Sequence, residues 1–208
     1  MFLHHVPDLL SLGFPQYIWH KSREEKKVFL TFDDGPVPGV TDFVLEELAL
    51  RQMKATFFMV GENICKHAGL AERILKQGHQ VGNHTHQHLN GRQSSREAYW
   101  DNFIKCQQVI QEILGMQVHL FRPPYGRLKR DQRNDILRTH QIIMWDVIPG
   151  DFERSAGAQA VLSKAQKYTR NGSIILFHDQ IKTEKILRGI LPDYLDYLQI
   201  KGFQTSVL

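Results

Sequence analysis

Short apolar runs alternate along this chain with segments of helical periodicity, and this alternation constrains the fold more than any other feature of the sequence. The apolar runs predict seven strands, at residues 27–32, 55–60, 79–83, 118–122, 141–145, 173–177 and 203–207. Helices are predicted between them, at residues 40–53, 62–77, 94–114, 130–139, 156–168 and 182–201. Such alternation favours a parallel sheet with helices on its outside.

Two local signals refine the predicted helices. Ser94 with Glu97 three residues later is a capping-box pattern, which predicts that the longest helix begins there. Pro192 falls inside the last predicted helix, where we expect a bend.

Polar residues of reactive types follow five of the predicted strands. They are Asp33-Asp34, His84, Arg122–Gly126, Asp146–Asp151 and His178-Asp179. In a closed α/β barrel the loops after the strands meet at one face and carry the active site. An open doubly wound sheet is the competing architecture, and there such groups converge only at a switch point. We expect the barrel, because it brings all five strand ends to one mouth.

Asp33 and Asp34 stand directly before Gly35-Pro36 and could form a simple turn, because Asp is favoured in turns. A catalytic use is also open to them. Neighbouring side chains at the end of a strand point in different directions. One carboxylate can therefore hold a metal while the other accepts a proton.

Three histidines occur within the five residues His84–His88, which is a strong local signal for a metal site. His84 and His88 are four residues apart, so one helical turn or a tight loop places them on the same side. A pairing of His84 with His86 on one strand face is the alternative, and it resembles the histidine pair of amidohydrolase barrels. That pair normally follows the first strand, whereas this one follows the third. We therefore prefer His84 and His88.

One carboxylate and two histidines match the form of a catalytic zinc site, which keeps an open position for water. A bound metal can lower the pKa of water from about 15.7 to roughly 7. The reaction also needs a base for the nucleophile and an acid for the leaving group. We expect Asp33 to be the base, and His178 at the end of the sixth strand to be the acid.

Length and charge limit the other functions open to the chain. With 208 residues we expect one domain, 1–208, with its core at about 27–208. The net charge is +4, but Arg127–Arg133 is the nearest approach to a basic cluster and Asp131 interrupts it, so we predict no nucleic-acid partner. Weak attraction to an anionic polymer stays open. No run approaches the roughly 18 apolar residues of a membrane span, so we expect no membrane partner.

The cysteines and the N-terminus bear on the compartment. Cys65 and Cys106 form no disulfide framework, which is compatible with a reducing environment. The apolar stretch 6–19 contains Asp8, Pro7 and Pro15 and has no Lys or Arg before it. A secretory signal is not indicated, and we expect a cytoplasmic location. Residues 1–23 receive no predicted role beyond packing across the bottom of the barrel.

Four motifs in this order resemble the polysaccharide deacetylases of carbohydrate esterase family 4, the NodB homology domain. They are Thr31–Pro36 (TFDDGP), His84–His88 (HTHQH), Arg122–Gly126 (RPPYG) and Leu176–His178 (LFH). The resemblance covers about residues 27–208. It implies an α/β fold, a distorted (β/α)7 barrel of the polysaccharide deacetylase type.

The resemblance also implies a role for each matched residue. Asp33 would be the catalytic base, held by an ion pair with Arg122, and His178 would protonate the leaving amine. A guanidinium suits the task of Arg122 because its geometry matches a carboxylate. The implied cofactor is one divalent metal, zinc or alternatively cobalt or nickel, and its ligands would be Asp34, His84 and His88.

The resemblance implies two further residues at the substrate. Tyr125 would offer its backbone N–H to the developing oxyanion, a contribution that is often worth a few kcal/mol. Leu176 would line the pocket for the acetyl methyl group. An ordinary buried strand leucine is equally compatible with the sequence at that position.

The fourth motif of the family departs from its usual pattern here. Family members often have an acidic residue after the fifth-strand Trp and then Asp-Trp, whereas this chain has Trp145–Phe152 (WDVIPGDF). Asp151 matches the Asp that we expect to steady Arg122. Ile148 stands where an acid often occurs, and Phe152 replaces the Trp, which keeps an apolar wall but loses the indole donor.

The resemblance implies an enzyme whose substrate is a carbohydrate. The leading hypothesis is removal of N-acetyl groups from N-acetylglucosamine-containing oligo- or polysaccharides such as chitin or peptidoglycan fragments. A second hypothesis keeps the fold and metal but directs them at acetyl esters of sugars or at small non-carbohydrate amides. A third is a catalytically silent carbohydrate-binding protein, against which Asp33 beside Asp34 argues, because binding alone needs no base.

Overall fold

The structure, a computed structural model, describes residues 4–153 and 157–208. In these ranges the strands are β1 Tyr17–Ile18, β2 Lys27–Asp33, β3 Ala55–Met59, β4 Gln80–Asn83, β5 Leu120–Phe121, β6 Gln141–Ile143, β7 Ile174–His178 and β8 Gln204–Thr205. The helices are α1 Asp8–Leu12, α2 Val40–Leu50, α3 Gly61–Lys66, α4 Ala68–Lys76, α5 Arg96–Leu114, α6 Arg130–Ile136, α7 Ala158–Tyr168 and α8 Glu184–Ile200. None of the helices in the described residues is long and apolar enough to cross a membrane.

The strands form one curled parallel sheet in the order β1-β6-β5-β4-β3-β2-β7, with β8 paired to β2. The chain after β6 closes the curl, because Val147 pairs with Ile175 of β7 and accepts a 2.9 Å hydrogen bond from the Leu176 amide. The prediction of a distorted α/β barrel is therefore confirmed. The strands of this order are all parallel, so their carboxyl ends face the same mouth.

The last predicted strand does not complete the barrel. Residues 203–207 were expected as its seventh strand, but β8 has two residues and pairs with Lys27-Val28 at the beginning of β2, away from the mouth. The additional strand comes from the N-terminal segment, where Tyr17-Ile18 lies parallel to β6. This segment also pairs His5 with Val147 and His20 with Ser173, so it covers the side of the barrel between β6 and β7 and reaches the amino-terminal end of β7.

Helix boundaries differ from the predictions at several points. The predicted helix 62–77 is two helices, because His67 between α3 and α4 has φ −135° and ψ 48°. The cap of α5 is Ser95, whose hydroxyl accepts from the Ala98 amide, while Ser94 donates to Asn90 O. The predicted start of α7 at Ala156 lies outside the described residues.

Helix α8 shows how the outer layer is held to the sheet. It runs unbroken through Pro192 and buries one face, made of Leu187, Ile190, Leu191, Tyr194, Leu195 and Leu198. This face packs on α2 and α7 in the large core cluster, and its Tyr194 ring contacts Phe177 of β7. Full burial of such side chains contributes roughly 1.5–3 kcal/mol each. The core thereby fixes the strand ends on which the polar residues stand.

Candidate metal centre and active site

A pocket of about 330 Å³ opens at the carboxyl ends of the strands, and it contains nearly every residue that the sequence predicted for the site. Its lining residues are Asp33, Asp34, His84, His88, Pro123, Tyr125, Arg127, Trp145, Ile148, Phe152, Leu176, His178 and Gln180. The two predicted supporting residues, Arg122 and Asp151, are buried behind this lining, at 0% and 1% exposure.

Asp34, His84 and His88 form the group that can hold a metal. One potential ligand atom from each residue lies within 4.8 Å of the other two. Oδ1 of Asp34 is 3.5 Å from Nε2 of His84 and 3.0 Å from Nε2 of His88. A carboxylate with two imidazoles is a donor set that suits zinc and similar divalent ions.

Hydrogen bonds at the back of this group leave its ligand atoms free. Nδ1 of His84 donates to the carbonyl oxygen of Arg122 at 2.7 Å, which keeps the Nε2 lone pair directed at Asp34. Oδ2 of Asp34 accepts from the Gln180 amide at 2.5 Å, while Oδ1 is buried and has no hydrogen-bond partner among the described residues. A cation would satisfy this oxygen, so the residues fit a bound metal.

The charge of Asp34 also suits a cation. Burial alone raises its pKa, but His84 and His88 lower it more, so that the pKa lies well below its ordinary value. The carboxylate is thus ionised over the neutral range and available as a ligand.

The backbone at the site is unusual. Asp34, His88 and Tyr125 have φ of 83°, 53° and 60°, in the left-handed region that non-glycine residues rarely adopt. Each such residue costs on the order of 1–3 kcal/mol and persists where its surroundings enforce it. Gly126 follows with φ 65°, and a Cβ there would come within 2.7 Å of Trp145, so the loop needs glycine.

His86 lies outside the metal group, as preferred in the sequence interpretation. Its amide is held by Asn102 O and Oδ1 at 3.1 and 2.9 Å, and its ring lies against Gly61 at the start of α3. The alternative pairing of His84 with His86 is therefore not the arrangement of this structure.

Asp33 stands beside the metal group in a separate network. Its Oδ1 accepts from Nη1 of Arg122 at 2.7 Å, and its Oδ2 is 3.8 Å from Nε2 of His84. Arg122 also donates to Thr31 Oγ1 and to the carbonyl oxygens of Ile143 and Met144. Each guanidinium nitrogen of Arg122 thus donates at least one hydrogen bond, and these bonds fix the orientation in which Nη1 holds Asp33. Oδ2 of Asp33 receives no hydrogen bond from the described residues.

Asp151 has a different partner from the one we expected. The sequence interpretation assigned it to Arg122, but none of the Arg122 hydrogen bonds in the described residues goes to Asp151. Its Oδ1 instead accepts from Nδ1 of His178 at 3.0 Å, and its Oδ2 accepts from the His178 amide at 2.7 Å. The correction has a physical reason, since Arg122 is already satisfied on the other side of the pocket.

His178 is consequently held as a charged imidazole. Burial lowers its pKa, but Asp151, with smaller effects from Asp34 and Asp33, raises it to about 9. Its Nδ1 is occupied by Asp151, which leaves Nε2 for a substrate. A half-buried imidazolium at the mouth of a pocket can donate a proton at neutral pH.

Apolar side chains complete the pocket. Leu176 is buried at 1% exposure, and the Phe152 ring lies edge-on to His178 at 5.3 Å. Tyr125 is exposed at 60%, and its ring contacts His88 at 4.7 Å. Ile148 and Trp145 join this wall, and the sequence interpretation had not placed them in the pocket.

Three polar residues of the site received no predicted role, although Thr31 and Asp179 lie in or beside the motifs. Thr31 bonds to Arg122, and Gln180 bonds to Asp34. Asp179 accepts from the Gly35 amide at 3.1 Å and from Thr41 Oγ1, and burial raises its pKa to about 8. A side chain at Gly35 would collide with Asp179. The one available signal was that these residues lie in or next to the motifs in the sequence.

The geometry agrees with comparisons to known proteins. A sequence model of the polysaccharide deacetylase family matches residues 20–142. The peptidoglycan-N-acetylglucosamine deacetylase PgdA of Listeria monocytogenes is 35% identical over 164 residues, which are 78% of this chain but 34% of that protein. The chitooligosaccharide deacetylase of Azorhizobium caulinodans is 31% identical, with 90% of this chain and 85% of that protein covered.

A solved structure extends the similarity to three dimensions. The Bc1960 peptidoglycan N-acetylglucosamine deacetylase superposes with a TM-score of 0.87 and 28% sequence identity, covering 97% of this chain and 94% of that one. The chain spans only about a third of the length of the Listeria relative, since the match covers 34% of that protein. The matched family model, the relative covered over 85% of its length and the shared barrel together show that this chain belongs to the polysaccharide deacetylase family.

Proposed function

We propose that this protein is a metal-dependent hydrolase that removes N-acetyl groups from N-acetylglucosamine-containing oligo- or polysaccharides. The observation that carries the proposal is one pocket in which a buried, unsatisfied carboxylate oxygen faces two imidazoles, between a free carboxylate oxygen and a charged histidine. The names of the relatives, peptidoglycan and chitooligosaccharide deacetylases, supply the substrate class.

Asp34, His84 and His88 would hold the metal, for which zinc is our first choice and cobalt or nickel are alternatives. Such an ion supplies an activated water molecule and polarises the acetyl carbonyl. The donor set of one oxygen and two nitrogens leaves open coordination positions, as catalytic sites require.

Asp33 would act as the general base. Arg122 holds one of its oxygens, so the other is presented to the pocket in a fixed orientation. The proton that Oδ2 accepts comes from the attacking water. Asp33 is held by Arg122, whereas Asp34 is held by Gln180. The two carboxylates can therefore act separately, one as base and the other as metal ligand.

His178 would protonate the leaving amine as the C–N bond breaks. Tyr125 lines the pocket, and its backbone N–H has no acceptor among the described residues. This N–H would donate to the oxyanion, for which such preorganised donors are effective. Leu176 and Phe152 would enclose the acetyl methyl group and exclude water from it.

The proposal is tested by acetate release from N-acetylglucosamine oligomers of increasing length, with the protein loaded with zinc. We expect acetate, loss of release with a chelator, and recovery when metal is restored. Release only from O-acetylated sugars or small amides would move the substrate to the second hypothesis. Binding of saccharide without any acetate, with metal shown to be present, would contradict the hydrolase.

Asp151 should determine how kcat/KM varies at alkaline pH. In Asp151→Asn the main charge that raises the pKa of His178 is gone, while burial still lowers that pKa. We expect the alkaline limb of the kcat/KM profile near pH 9 in the wild type, and in the variant we expect it to move down by roughly one to two units. In the wild type, the Asp151–His178 pair should also stabilise the fold. This contribution should be complete below about pH 6.5 and should be lost as the pH rises through about 9.

An NMR titration of His178 provides an independent check on the rate profile. Proton titration of the imidazole by NMR in the metal-free variant should give the same shift as the rate profile. An unchanged alkaline limb in Asp151→Asn would contradict the assignment of His178 as the acid.

A further inference from the structure

A second pocket lies beside the catalytic one and has no part in the proposed chemistry. Its volume is about 270 Å³. One wall consists of Phe14, Tyr17 and Trp19 from the N-terminal segment, with the Phe14 and Tyr17 rings stacked at 6.0 Å and the Trp19 ring edge-on to Tyr17 at 6.0 Å. Phe14 is exposed at 42%, so part of this aromatic wall is open to solvent.

The facing wall is strongly basic. Its charged members are Arg92, Lys129, Arg130 and Arg133. Lys129 donates to the Ser94 carbonyl and Arg133 to the Asn134 side chain, but in the described residues none of the four forms an ion pair with a carboxylate. Asp131, the acid in this stretch, does not line the pocket. Four positive charges without acidic partners around one concave site favour an anionic ligand.

The two pockets share their intervening wall. Gly126 and Met144 line the basic pocket, whereas their neighbours Tyr125, Arg127 and Trp145 line the catalytic pocket. The Trp145 ring packs closely on Gly126. The two pockets are therefore neighbours, and a polymer with one residue in the catalytic pocket would have to pass over Arg127 to reach the aromatic and basic wall.

We infer that the basic pocket is a binding subsite for a saccharide chain that carries carboxylate groups. Aromatic faces pack against the apolar faces of sugar rings, and the guanidinium groups recognise carboxylates. The inference rests on the proposed function, because it assigns the pocket to the same substrate. It adds that the preferred substrate is an anionic chain rather than a neutral one such as chitin.

The test uses two hexasaccharides, one of N-acetylglucosamine alone and one in which it alternates with its lactyl ether, which bears carboxylates. We compare the wild type with Arg130→Gln/Arg133→Gln and with the control Lys76→Gln/Lys105→Gln, which removes two positive charges elsewhere. In the first variant, the ratio of KM for the anionic to the neutral oligomer should rise about threefold to tenfold. The control ratio should match the wild type, and the wild-type preference should weaken with added salt.

Direct binding separates this inference from the proposed function. In the Asp33→Asn background, titration calorimetry measures affinity whether or not the wild type hydrolyses either oligomer. If neither oligomer releases acetate but the anionic one still binds more tightly through Arg130 and Arg133, only the proposed function fails. Equal affinity for both oligomers, or displacement of the anionic oligomer by a short single-stranded DNA at lower concentration, would overturn the saccharide subsite.

Discussion

Replacing Asp33 by asparagine is expected to lower acetate release by about 10²–10⁴-fold, the typical contribution of a general base. Asparagine keeps the shape of the side chain and an oxygen that can accept from Arg122, whose Nη1 lies 2.7 Å from Oδ1 in the wild type. It has no carboxylate to accept the proton of water. The loss should therefore fall on kcat, with metal content unchanged, because Asp34, His84 and His88 are intact.

The same substitution should also destabilise the fold. Arg122 is fully buried and Asp33 is its carboxylate partner, with an N–O distance of 2.7 Å. Breaking a buried ion pair on one side costs roughly 3–5 kcal/mol, and the remaining amide oxygen should keep the loss near or below the lower end. Chemical denaturation measures this change in the free energy of unfolding.

A matched control separates stability from chemistry. Asp146 is also a buried aspartate, at 1% exposure, and is bonded to Arg23 and Ser173 away from the catalytic pocket. Asp146→Asn should lose stability to a comparable extent but retain most of its turnover. If Asp33→Asn keeps more than about a tenth of wild-type kcat, a group other than Asp33 is the base.

The barrel and the composition of the pocket were predictable because both follow local rules. Apolar runs and helical periodicity place the strands, and the carboxyl ends of parallel strands must meet at one face. Residues that directly follow strands, such as Asp33 and His178, are therefore brought together by the fold alone. The preference for His84 and His88 as metal ligands was also predictable, since they are four residues apart in the sequence.

Partner choice across the barrel was not predictable. Asp151 follows the fifth predicted strand, and nothing in the sequence distinguishes a contact with His178 from one with Arg122. The structure decides it, because Arg122 uses its donors on Thr31, Asp33 and two carbonyl groups. The strand β1 was missed for a similar reason. Its two residues carry no periodic signal, and their pairing with β6 is more than a hundred residues distant in sequence.

His88→Ala and His86→Ala form a matched pair that should separate the metal ligand from its neighbour. His88 is partly exposed, at 29% of its side chain, and its Nε2 is 3.0 Å from the unsatisfied Oδ1 of Asp34. Its loss removes one of three ligands. We expect zinc affinity to fall at least a hundredfold, since even residues that only support a ligand cost about 10–100-fold. The cost in fold stability should be small, because little packing is lost.

His86→Ala should give the opposite result, with full metal content and a measurable loss of stability. His86 is 5% exposed and packs against Gly61 and α5, so alanine leaves a cavity there. This loss of stability should be smaller than the cavity alone would cause. Nδ1 of His86 is buried without a hydrogen-bond partner in the described residues, and alanine removes this unsatisfied polar atom. Zinc competition with a chromophoric chelator gives the affinities of both variants without depending on activity. If His86→Ala loses zinc while His88→Ala retains it, the ligands are His84 and His86, and the resemblance to the amidohydrolase pairing would replace the assignment made here.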